Sequence, residues 1–144
     1  MYTKHWGLTK SPFAGSPRGT LFYRTSGQNE AIARIDYLVK NRRRFGLLVG
    51  EAGLGKTAVL DHVDQQTNRS ANQAISINLL GMDQAEFVIS LSHALGCTNR
   101  SSDSPAALWR GISDHLTTNQ YQQRATLLLL DNAHEASPDV LTAI

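Results

Sequence analysis

The run from Gly50 to Thr57, GEAGLGKT, constrains the fold more than any other part of this chain. It satisfies G-x-x-x-x-G-K-[ST] in full, and its surroundings fit. The apolar segment FGLLVG, Phe45–Gly50, leads into it and a helical pattern follows. A strand that feeds a glycine-rich loop opening a helix is built to receive a phosphate. Gly50, Gly53 and Gly55 allow backbone conformations closed to other residues and bring N–H groups close to an anion. The helix beginning near Gly55 aims its free N–H groups and its dipole at the same place. The nucleotide-binding set is therefore Gly50, Glu51, Ala52, Gly53, Leu54, Gly55, Lys56, Thr57 and Ala58. Lys56 is expected to reach the β- and γ-phosphates, and the Thr57 hydroxyl to ligate Mg²⁺.

The rest of the chain alternates strands with helices, which implies an α/β fold around a parallel sheet. Ser26 is a candidate N-cap for a helix from about Gly27 to Lys40, with Ile32, Ile35, Leu38 and Val39 near helical spacing. Phe45–Gly50 has the composition of a buried parallel strand. A helix from about Gly55 to Thr67 turns Val59, Leu60 and Val63 inward. Ala74–Leu79 alternates as a second strand through Ile75, Ile77 and Leu79. Asp83 to about Leu95 is helical, with Phe87, Leu91 and Leu95 on one stripe. Ser104 and Pro105 mark the start of another helix, striped by Leu108, Ile112 and Leu116. Ala125–Asp131 is a third strand, and Ser137-Pro138 opens a last helix.

That third strand ends LLLLD, then Asn132. Ligands of parallel α/β sheets bind at the carboxyl ends of the strands, so Asp131 is placed beside the phosphates. Mg²⁺ is a hard ion that keeps several waters and takes one or two carboxylates, and Asp131 with Thr57 makes such a metal set. The candidate catalytic residues are Lys56, Asp131 and Asn132.

The segments HWGLTKSPFAGSPRGTLFY, FGLLVGEAGLGKT and LLLLDNAHEASPDVL together resemble the ATPase domain of the general secretion pathway protein A family, within the AAA+ branch of P-loop ATPases. The resemblance covers nearly the whole chain. It implies a three-layer α/β/α P-loop NTPase with ATP and Mg²⁺ as ligands, and a homo-oligomer in the intact protein. It also implies an N-terminal arm near the adenine, with Phe22 or Tyr23 as candidates, and protein partners in a secretion apparatus. Two departures stand out. The family has Glu where this chain has Asn132. A carboxylate activates the attacking water as a base; an amide only orients it, as glutamines do in some GTPases. His134 and Glu135 are nearby substitutes, but an extended chain would carry Glu135 too far without a turn. In addition, AAA+ modules continue with two more strands, a sensor residue, an arginine finger and a helical lid. One of those strands inserts between the Asp131 strand and the phosphate-loop strand. Residues 27–144 are thus expected to be a partial AAA+ core behind an arm at 1–26, with two apolar strand edges unpaired.

Composition narrows the remaining classes. Apolar content of 41% and charged content of 18% fit a globular domain. No apolar run is long enough to span a membrane, and the N-terminus has no signal-peptide h-region, so the expected location is cytoplasmic. A single cysteine, Cys97, excludes an internal disulfide, and nothing near His93 and Cys97 completes a metal set. The net charge of +2 hides an asymmetry: residues 1–44 carry +7 and residues 45–144 carry −5. The basic part, with NRRRF at Asn41–Phe45, suits either a solvated turn or an anionic partner such as nucleic acid. A DNA-associated ATPase of the transposition-helper type is therefore one alternative, and a non-hydrolysing nucleotide switch or scaffold is another.

Overall fold

The computed structural model describes residues 2–8, 24–70, 72–97 and 104–144. The expectations for Phe22 and Tyr23 lie outside the described residues. A short helix, α1 (Tyr2–His5), begins the chain, and Trp6 behind it is 71% exposed with an edge-on contact to His5. Helix α2 spans Ser26–Lys40. Its N-cap is Thr25 and not Ser26. The Thr25 hydroxyl accepts the Gln28 N–H while the Gln28 side chain accepts the Thr25 N–H, a reciprocal capping box. Ser26 has the same hydroxyl but lacks a Gln or Glu three residues on, which is what sets the register.

Helix α3 (Lys56–Asn68) leads to strand β1 (Gln73–Asn78), helix α4 (Gln84–Ala94), helix α5 (Pro105–Tyr121), strand β2 (Thr126–Asp131), a 3₁₀ turn at Ala133–Glu135 and helix α6 (Pro138–Ala143). β1 and β2 pair in parallel, from Gln73 opposite Thr126 to Asn78 opposite Asp131. Side chains alternate between the two faces of this pair. Ala74, Leu127 and Leu129 meet Ile32, Val59 and Val63 from α2 and α3. Ile75, Ile77, Leu128 and Leu130 meet Phe87, Val88 and Leu91 of α4, Leu108 and Ile112 of α5, and Val140 of α6. The result is the expected three-layer α/β/α arrangement, with the larger core on the α4–α6 side.

Phe45–Gly50 departs from expectation. It is not a strand, and Phe45, Leu47 and Val49 are 75%, 71% and 78% exposed. Only Leu48 turns inward, against the α2–α3 core. Among the described residues the ladder consists of β1 and β2 alone, so this apolar run has no hydrogen-bonded neighbour. A strand is buried by pairing on its edges and layers on its faces, and here only one face is covered.

Two local details fix the helices on the sheet. Asp83 caps α4 in a second reciprocal box with Glu86, and Ser104 caps α5 with Pro105 in its first turn. On α5 the stripe holds for Leu108 and Ile112, but Leu116 is 41% exposed. The next inward position is Asn119, which is 3% exposed and donates to Gln73 and Thr126 at 2.8 and 2.9 Å. With both amide hydrogens bonded, this side chain sets where α5 crosses the start of both strands. The largest fully buried side chain among the described residues is Phe87 of the larger core, only 1% exposed. Phe87→Ala is expected to destabilise the fold by about 3–5 kcal/mol, measured by denaturant titration, because surrounding residues from β1, α5 and α6 cannot collapse into the space. Among the described residues no helix is long and apolar enough to cross a membrane.

Candidate functional site

The phosphate loop hangs between Phe45–Gly50 and α3, and its backbone follows from two glycines. Gly53 and Gly55 take φ of 82° and 81°, in the left-handed region that side chains disfavour. Gly50 has no such need: an added Cβ there would make ordinary contacts, 3.4 Å from Leu54 and 3.9 Å from Lys56. Gly55 is the N-cap of α3 and provides no side-chain acceptor, which leaves the N–H groups of Lys56, Thr57 and Ala58 uncapped by any side chain. With the helix dipole behind them, they favour an anion. Glu51, Ala52, Gly53 and Leu54 form the exposed rim.

The Lys56 ammonium donates to the Gly50 and Glu51 carbonyls, both at 2.9 Å. It thus closes the loop on itself and holds a positive charge at its mouth. The Thr57 hydroxyl donates to Asp131 Oδ2 at 2.7 Å, joining positions 74 residues apart. Asp131 follows Leu127 and Leu129 on the α3 side of β2, so the strand's alternation aims the carboxylate at the first turn of α3. Its other oxygen accepts the Asn132 N–H at 2.9 Å. A hydroxyl and a carboxylate this close are the hard oxygen donors that Mg²⁺ takes.

Asn132 has a different surrounding. Its φ of 54° puts it in the left-handed region, which asparagine tolerates better than glutamate. Its Nδ2 donates to Asn78 Oδ1 at 2.9 Å, and the same Asn78 oxygen accepts the Leu80 N–H at 3.1 Å. The amide therefore clips the tip of β2 to the tip of β1. Asn132 also starts the 3₁₀ turn that carries His134 and Glu135. The turn that Glu135 would need is present, but both side chains are exposed and pair with each other at 3.5 Å.

One residue outside the sequence-based set touches the loop, and a second contact lies further along α3. Gln28 Nε2 donates to the Leu54 carbonyl at 3.4 Å, from α2 to the loop. Arg24 meets His62 of α3 at 2.6 Å. Burial, then Arg24 and Arg69, hold the His62 imidazole below its usual range against the opposing pull of Asp36. The local sequence marks Gln28 only as the third residue of the Thr25 capping box and does not mark Arg24, because the two contacts join distant segments.

A parallel sheet between helical layers, with a glycine-rich loop opening a helix and a hydroxyl–carboxylate pair at its foot, defines a P-loop NTPase. The sequence model of the AAA domain family matches residues 39–144, and the chain belongs to that family. It is an AAA-type, nucleotide-binding ATPase domain. The chain is also similar to General secretion pathway protein A of Aeromonas hydrophila, with 28% identity over 141 residues. That alignment covers 98% of this chain and 26% of the relative, so the chain spans about a quarter of the relative's length. No solved structure matches it.

Proposed function

We propose that this domain binds ATP with Mg²⁺ at Gly50–Ala58 and Asp131, and hydrolyses it slowly. The observation that carries the proposal is the Thr57 hydroxyl resting on the Asp131 carboxylate at 2.7 Å, under the uncapped first turn of α3. In this reading the loop N–H groups cradle the phosphates and Lys56 moves from its own loop carbonyls to the β- and γ-oxygens. Thr57 and Asp131 hold the metal, which when bound neutralises charge that develops on the phosphates. Asn132 supplies no base, so water is at best oriented, and turnover is slow. The likeness to General secretion pathway protein A extends the proposal to a secretion-related assembly, energised from the cytoplasm, in which the module works as part of an oligomer.

The test is titration of a fluorescent ATP analogue with and without Mg²⁺, alongside phosphate release. Asp131→Ala is expected to remove most of the Mg²⁺-dependent gain in affinity, about tenfold, while metal-free binding persists. An Asp131→Ala chain that keeps the full Mg²⁺ effect would overturn the metal assignment. A second reading, a nucleotide switch without turnover, is favoured by one observation: the Asn132 amide is engaged by Asn78. Phosphate release at the uncatalysed rate, with binding intact, would select it.

A further inference from the structure

The first turn of α2 lies against the apex of the phosphate loop, and Gln28 makes the contact. Its amide is used at both ends: Oε1 accepts the Thr25 N–H at 3.1 Å, and Nε2 donates to the Leu54 carbonyl at 3.4 Å. A Cβ added to Gly55 would sit 2.9 Å from that same Nε2, so the amide fills the space beside the loop. Only a carboxamide meets both demands; a Glu would satisfy the cap and offer the carbonyl no donor. The Leu54 side chain is 61% exposed, so little packing otherwise holds the apex. Gln28 also precedes residues 39–144, which the AAA family model matches.

The peptide bond turns this contact into a consequence for the loop. The Leu54 carbonyl and the Gly55 N–H belong to one planar trans peptide and point in opposite directions. A donor that fixes the carbonyl toward α2 therefore fixes the N–H away from α2. Gly55, with its left-handed φ, has no side chain of its own to restrain that peptide.

We infer that Gln28 is a positioning residue for the phosphate loop, holding the Leu54–Gly55 peptide in the orientation that presents its N–H to a bound phosphate. The inference rests on the proposed use of Gly50–Thr57 as the phosphate site. Gln28 does not touch the nucleotide; it sets the loop that does.

Three variants of the full chain separate the possibilities, with a fluorescent ATP analogue as the probe. Gln28→Ala loses the cap and the loop contact. Thr25→Ala loses the cap hydroxyl and keeps the Gln28 amide. Both are expected to lower the unfolding temperature by a similar amount. Gln28→Ala alone is expected to raise the nucleotide Kd, by about five- to tenfold, the share of one hydrogen bond that orders a loop. Equal affinity losses in the two variants would reduce Gln28 to a helix cap and overturn the inference. So would wild-type affinity in Gln28→Ala while Lys56→Ala binds poorly. If Lys56→Ala also binds as wild type, the failure lies in the phosphate-loop reading, and the role of Gln28 falls with it.

Discussion

Lys56→Ala is expected to weaken ATP binding by about tenfold to a hundredfold, with little change in the unfolding temperature of the free protein. The size follows from what the ammonium can do. A charge-assisted hydrogen bond to phosphate contributes about 1.5–3 kcal/mol, and Lys56 is the cation that closes the loop. Removing it deletes the charge and also releases the Gly50 and Glu51 carbonyls, so the loop loses its clasp. The small effect on stability follows from position: the loop rim is exposed and the cores lie on the two faces of β1 and β2. Thermal shift reads the same event independently. Nucleotide at about a hundred times Kd stabilises the native state by about 2.7 kcal/mol, and at the same concentration the variant is expected to lose about half of that at a tenfold weaker Kd and most of it at a hundredfold. Unchanged affinity in Lys56→Ala would remove the phosphate loop from consideration as the binding site.

Some of this site is written in local sequence, because local chemistry makes it. Gly53 and Gly55 are needed where φ is positive, and the Ser104-Pro105 and Ser137-Pro138 pairs start helices at the residues they mark. Asp131 could be placed from the end of an apolar run, since strand alternation and the direction of a parallel sheet decide where its carboxylate points. The features that escaped the sequence are all contacts between distant segments. Gln28 reaches Leu54 across 26 positions, Asn119 reaches Gln73 across 46, and Asn132 reaches Asn78 across 54. Each is an amide whose distant partner no local pattern names; the capping box at Thr25 marks Gln28 as a cap and says nothing of Leu54. Phe45–Gly50 failed for a related reason. Its composition predicts burial, but burial depends on a hydrogen-bonded neighbour that the composition cannot specify, and among the described residues no strand pairs with it. Asn132 is the instructive case. The sequence shows an amide where the resembling family has an acid, which looks like a lost catalytic group. The backbone shows a left-handed residue clipped to β1, which is a reason for asparagine to be there.

Asn132→Glu sets those two meanings against each other. Glutamate at φ 54° carries the strain of a left-handed side chain, roughly 1 kcal/mol. It also cannot donate to Asn78 Oδ1, and brings a carboxylate toward an oxygen that already accepts the Leu80 N–H. The variant is therefore expected to unfold more easily, by about 1–3 kcal/mol in all. The same repulsion drives the new carboxylate off β1 and frees it to reach water near the phosphates. Phosphate release is then expected to rise by about a hundredfold or more, the usual contribution of a positioned general base. Stability and turnover thus move in opposite directions, a pairing that a purely structural role for Asn132 does not produce. If the natural chain turns ATP over above the uncatalysed rate and the variant leaves that rate flat, another group already activates the water. The candidate is Glu135, on the 3₁₀ turn and paired with His134 at 3.5 Å, an exposed contact too weak to hold it away. Glu135→Gln in the wild-type background decides that case: abolished turnover assigns the base to Glu135, and unchanged turnover leaves water oriented by amides alone.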